Sequence, residues 1–321
     1  MLFRSHVEQN AQDILAVDAA DALDIADIGL VRRDPFAARD RMRADQRHLE
    51  GGHAQARLGG LFRVEVAVGD DQWVGHELAV YLEGRDDVVD EASTRRGVDT
   101  VHSRFDARVA VLAGDFLFAQ SSWHLANLDD LDVVKLLSRV IMDLADGEVK
   151  QGLYRFDTAQ TFETYLEKSY CKTASLIANS ARAAGVLSGL PEEQLDALYR
   201  FGRQLGLAFQ VVDDILDFTG SDQQLGKPAA SDLASGYLTA PVLYALEERP
   251  ALAGLIEREF SESGDLDQAL ALVRGCQAIP RSRALAEQFS RDAYEALTWL
   301  PPSEASTALQ GLSEFVLSRL Y

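Results

Sequence analysis

Between Pro35 and Pro191 the chain carries no proline, so a long stretch has no hard helix breaker. From about Asp106 onward the apolar residues recur at helical spacing. Val133, Val134, Leu136, Leu137, Val140, Ile141 and Leu144 make one stripe. Leu195, Leu198, Phe201, Leu205, Ala208, Phe209 and Val212 make another. Pro191 followed by Glu192 and Glu193 predicts a helix start, with acids at the positive end of the dipole. Gly220, Gly226 and Pro228 punctuate a loop behind that helix. Further helices are predicted over about 238–248, 265–274, 282–297 and 302–320. No run of period-two alternation persists there, so the expectation is an all-α bundle.

Residues 1–85 read differently. Phe62 to Val68 has the alternation of a strand, arginines crowd residues 32–47, and acids spoil the helical stripe at Ile14 to Ile28. Of the five lysines, none precedes Lys135. The expected division is therefore 1–85, an atypical segment, and 86–321, a helical domain. Asp and Glu outnumber Lys and Arg by 51 to 31, a net charge of −20. That charge argues against nucleic acid or anionic lipid as the main partner. Two distant cysteines, Cys171 and Cys276, exclude a disulfide framework and fit a reducing compartment. With no membrane-spanning run and no signal-peptide core, a cytoplasmic protein is expected.

The chemistry sits on misplaced acids. Gln210, Asp213, Asp214 and Asp217 fall at i, i+3, i+4 and i+7, along one side of a helix whose neighbours belong in a core. Enclosed carboxylates repel one another and lose hydration. A divalent cation turns that repulsion into binding, and Mg²⁺ takes oxygen ligands from carboxylates and substrate phosphates. Asp86, Asp87 and Asp90 repeat the spacing in DDVVD, and Arg95 and Arg96 follow. Lys172-Thr173 and Lys227 supply further positive charge or donors. Together these residues point to a Mg²⁺-assisted diphosphate site. Asp115 is either a support of that site or a buried carboxylate. Glu148 and Gln151 either line the same site or face solvent. His102 and His124 read as surface or core residues.

DDVVDEASTRRG and FQVVDDILD with the later GKP resemble the two aspartate motifs of trans-polyprenyl diphosphate synthases. GDFLFAQ, GEVKQG, YLEKSYCKTASLI and VLSRLY resemble the long-chain solanesyl type of cyanobacteria and plastids. The resemblance implies an isoprenoid-synthase-type helical bundle around a central cavity. It implies Asp86, Asp90 and Asp213 as principal Mg²⁺ ligands, with Asp87, Asp214 and Asp217 as further ligands or support. Arg95, Lys172, Thr173, Gln210 and Lys227 would hold the allylic diphosphate, and Arg96 the diphosphate of isopentenyl diphosphate. Asp86, Asp90, Lys172 and Asp213 would then carry catalysis. The resemblance further implies a homodimer, a product serving as a quinone side chain, and peripheral membrane contact when that product leaves.

The family's upstream GGKRxRP motif and its following histidine have no counterpart here, and VYLEGR stands directly before Asp86. Residues 1–85 would thus arise from a frame error, a chimeric assembly or a real replacement, leaving the isopentenyl site incomplete. The expected function is prenyl transfer, impaired by that loss. The alternatives are a non-catalytic partner subunit, which the loss favours, and a terpene cyclase, which DDILD disfavours.

Overall fold

The computed structural model describes residues 98–220 and 230–320, together with Val88, Thr94 and Arg95. The aspartates of the first motif, Arg96 and Lys227 lie outside the described residues, as does the strand expected over 62–68. The chain divides into two compact units, Met1–Ser121 and Ser122–Tyr321. That boundary is one of packing, whereas the division at 85/86 is one of sequence.

In the first unit a short antiparallel pair, β1 (Thr94–Arg95) and β2 (Val98–Asp99), matches Thr94 with Asp99 and Arg95 with Val98. The short α1 (Val101–Arg104) follows, and α2 (Ala107–Asn127) begins there and ends in the second unit. Asp115, weighed as a buried carboxylate, is exposed.

The described elements of the second unit are all helices. α3 (Leu131–Leu153) starts at Asp130, whose carboxylate accepts from the Asp132 and Val133 amides at 3.0 and 3.1 Å. Its buried side carries Val133, Leu137, Val140 and Leu144. α4 (Phe162–Ser169) runs without a break into a π-helical turn, Tyr170–Ala174, and then α5 (Ser175–Leu187). α6 (Glu192–Thr219) begins at Pro191, as the sequence predicts, and packs most heavily along α5 and α11.

From Phe201 to Phe218 α6 is buried on nearly every side, with Leu205, Leu207, Val211, Val212 and Ile215 all at most 1% exposed. A helix segment buried on nearly every side is a core helix, so Asp214 and Asp217 sit in the interior by construction. α7 (Ser231–Ala234), α8 (Ala240–Glu248), α9 (Ala251–Glu257), α10 (Asp265–Arg274), α11 (Ala278–Ala296) and α12 (Glu304–Ser318) complete the unit. Ser303 and Ser306 bond reciprocally to start α12, a capping box that fixes where the last helix leaves the loop. Among the described residues no helix is long and apolar enough to cross a membrane.

Candidate active site

The π-helical turn sets the site. A π turn widens the helix by one residue and redirects the side chains behind it. Here it carries Lys172 and Thr173. Two glycines hold it from opposite elements. A Cβ on Gly206 of α6 would lie 2.5 Å from the Ala174 Cα, and one on Gly147 of α3 would lie 3.0 Å from the Cys171 Cβ. Close backbone approach on both sides leaves the turn little freedom.

Thr173 Oγ1 donates to Gln210 Oε1 at 2.7 Å. The Gln210 Nε2 donates to Asp214 Oδ1 at 2.9 Å, and the Tyr165 hydroxyl donates to Asp214 Oδ2 at 2.6 Å. The turn and the second aspartate motif, distant in sequence, are thus joined by one hydrogen-bonded chain. Asp214 and Tyr165 are each 1% exposed. Burial pushes the Asp214 carboxyl up to about 6, against the opposing pull of the Tyr165 and Gln210 hydrogen bonds. Burial likewise holds the Tyr165 hydroxyl well above its ordinary range, with the Asp214 charge adding to it.

Lys172 Nζ stands 2.8 Å from Glu148 Oε1 and 3.4 Å from Gln151 Oε1. Glu148 and Gln151, left open by the sequence, therefore face the lysine of the turn. Lys168 lies one turn earlier, largely buried, with its ammonium 5.8 Å from the Tyr165 ring centre. Burial lowers its pKa, and the nearby Lys172 lowers it further; Asp214, Asp232 and Glu148 oppose that shift.

The three aspartates of α6 have different surroundings. Asp217 is buried; its Oδ1 accepts from Ser231 Oγ at 3.2 Å and its Oδ2 from the Asp232 amide at 3.3 Å. Asp213 keeps 38% of its side chain exposed and pairs with Arg319 at 2.7 Å. Both oxygens of Asp214 and of Asp217 thus accept from neighbouring groups, and Asp213 presents the most accessible carboxylate of the three. Its hard oxygen donors suit a divalent cation such as Mg²⁺. Among the described residues no group of three or more His, Cys, Asp or Glu side chains gathers around one metal position. Of Arg95 only the backbone, in β1, is described.

The polyprenyl synthetase family matches residues 85–273. The chain belongs to that family. It is 61% identical over 236 residues to a prenyl transferase of Synechocystis, covering 74% of this chain and 73% of the relative. It is 51% identical over 235 residues to solanesyl diphosphate synthase 2, chloroplastic, of Arabidopsis thaliana, covering 73% of this chain and 56% of that one. Among solved structures, a decaprenyl diphosphate synthase of Rhodobacter capsulatus superposes with a TM-score of 0.72 at 32% identity, over 77% of this chain and 79% of that one. The polyprenyl synthetase fold is thus the all-α architecture expected from the sequence.

Tyr165 and Arg319 are among the residues of the site that escaped the sequence reading. Tyr165 stands seven residues before Lys172, a same-face spacing on a helix, and that spacing was the available signal. Arg319 sits in the closing VLSRLY, and nothing local in the sequence ties it to Asp213.

Proposed function

We propose that the chain joins isopentenyl diphosphate to an allylic diphosphate and repeats the step toward a long all-trans product of the solanesyl type, suited to a quinone side chain. As a polyprenyl synthetase it is a trans-prenyltransferase. The observation carrying the finer reading is the chain from Thr173 through Gln210 to Asp214, which puts the Lys-Thr pair against the second aspartate motif.

In this reading Lys172, steadied by Glu148, and the polar groups of Thr173 and Gln210 hold the allylic diphosphate, with Arg95 and Lys227. Arg96 holds the diphosphate of isopentenyl diphosphate. Asp213, with Asp86 and Asp90, would hold Mg²⁺; Asp87, Asp214 and Asp217 would serve as further ligands or support. When bound, Mg²⁺ supplies positive charge that stabilises the departing diphosphate. Departure leaves an allylic cation, the double bond of isopentenyl diphosphate attacks it, and the released diphosphate takes the proton lost afterward. The apolar neighbours of α6 keep water from quenching that cation.

A second copy of the chain is the proposed partner. The outward side of α3 carries Leu131, Met142, Val149 and Leu153, all exposed, opposite the buried Val133, Leu137, Val140 and Leu144. Such a face favours burial in a dimer. Two free thiols, Cys171 and Cys276, fit the reducing cytoplasm. The long product would pass to a membrane by peripheral contact. The lack of any lysine before Lys135 favours a second reading, a non-catalytic partner subunit.

Incubation with labelled isopentenyl diphosphate, farnesyl diphosphate and Mg²⁺ separates these readings. Elongated polyprenyl diphosphates support transfer. Cyclic hydrocarbons would indicate a cyclase. No product from this chain alone would indicate the partner subunit.

A further inference from the structure

Gln210 has an amide whose two ends differ only in what they donate and accept, so its orientation is decided by its neighbours. A carboxylate on one side needs donors, which turns the Nε2 toward Asp214 and the Oε1 toward Thr173. The Thr173 hydroxyl proton is then committed to Gln210, and the remaining Gln210 N–H is the donor left in a fixed direction. What holds the carboxylate is Tyr165, which donates to the other oxygen of Asp214 from a fully enclosed position. Tyr165 Oη and Thr173 lie on two sides of the same chain, and the tyrosine has no route to substrate except through it.

We propose that Tyr165 is a positioning residue for the allylic diphosphate: its hydroxyl fixes Asp214, and Asp214 and Thr173 together fix the Gln210 amide, whose remaining N–H donates to that ligand. This rests on the reading that Gln210 contacts that diphosphate. Preorganised groups bind more tightly because their ordering cost is met before the ligand arrives. Removing the Tyr165 hydroxyl leaves the ring in place and frees the amide and hydroxyl to turn.

The test is calorimetric titration of farnesyl thiodiphosphate with Mg²⁺ into the full chain and its variants, with melting curves as a check of folding. Tyr165→Phe is expected to weaken binding about tenfold, the scale of one charge-assisted hydrogen bond. Thr173→Val is expected to weaken it similarly. The double variant should be no worse than the poorer single one, because both act through one chain. In steady-state assays the KM for the allylic substrate should rise, with the KM for isopentenyl diphosphate within about twofold.

If Tyr165→Phe fails to fold, Asp214→Asn gives the same test in titrations without Mg²⁺, where a role of Asp214 beside the metal does not enter. An asparagine accepting from Tyr165 presents its NH₂ to Gln210 and forces the amide over, so the same loss is expected. Binding at the unsubstituted level in Tyr165→Phe or Asp214→Asn, or fully additive losses in the double variant, would overturn the proposal. An unsubstituted chain that takes up no probe would overturn the functional reading itself, and the proposal with it.

Discussion

Arg319 Nη2 lies 2.7 Å from Asp213 Oδ1, so the residue that closes α12 pairs with the most accessible aspartate of the second motif. The guanidinium also sits over the Phe209 ring, 4.6 Å from its centre, which fixes it one turn from the acid. The last helix is thus tied to the aspartates of α6 by charge and by an aromatic face.

Asp213→Ala should lower turnover by orders of magnitude, because it removes a carboxylate proposed to hold the Mg²⁺ that would stabilise the departing diphosphate. The pair is half exposed, so its loss should cost stability only about 0–1 kcal/mol. Single-turnover kinetics and a melting curve on the same preparation check both halves. A variant that elongates normally would remove Asp213 from the mechanism.

Stability should carry a signature of Asp214. Its folded-state value, about 6 against an ordinary 3.8, means that the native state keeps a proton the unfolded chain has already released. Its contribution is therefore most favourable below about pH 4 and falls as pH rises through about 6, by on the order of 3 kcal/mol. Asp214→Asn cannot titrate. Urea denaturation across this window should show the variant gaining on the unsubstituted chain as pH rises. A difference independent of pH would mean the carboxyl is not held protonated.

Much of this arrangement was legible beforehand. α10 falls at Asp265–Arg274, where the periodicity put it, and α6 starts behind Pro191 because proline and paired glutamates are local signals. The family was legible too, since its motifs are contiguous. The π-helical turn was not, because YCKTA has the composition of an ordinary helix and the turn depends on Gly147 and Gly206 from other elements. Nor could spacing separate the three aspartates of α6. Their differences come from Tyr165, Ser231 and Arg319, each contributed by a distant segment.

Gly206→Ala tests the clamp on that turn. A methyl group there would lie 2.5 Å from the Ala174 Cα and 2.7 Å from its Cβ, neither of which can swing aside, so the turn must shift. Overpacking of this kind costs about 1–3 kcal/mol. The expected outcome is a lower melting temperature together with weaker allylic binding, since Lys172 and Thr173 ride on the turn. Unchanged affinity would show that the turn's position is not what orients them.

The outward face of α3 predicts assembly. Light scattering at micromolar concentration should give a dimer, and Met142→Asp with Val149→Asp should shift it to monomer by placing charge in an apolar contact. A monomer before substitution would refute the assembly.

The most direct test compares the chain as it stands with one in which a family-type segment bearing GGKRxRP precedes Asp86, both supplied with labelled isopentenyl diphosphate, farnesyl diphosphate and Mg²⁺. Loss of two or three charge-assisted hydrogen bonds, at about 1.5–3 kcal/mol each, predicts slow elongation in the first and ordinary elongation to long all-trans products in the second. Equal, ordinary rates in both would contradict the reading of residues 1–85, and no elongation in either would contradict prenyl transfer itself.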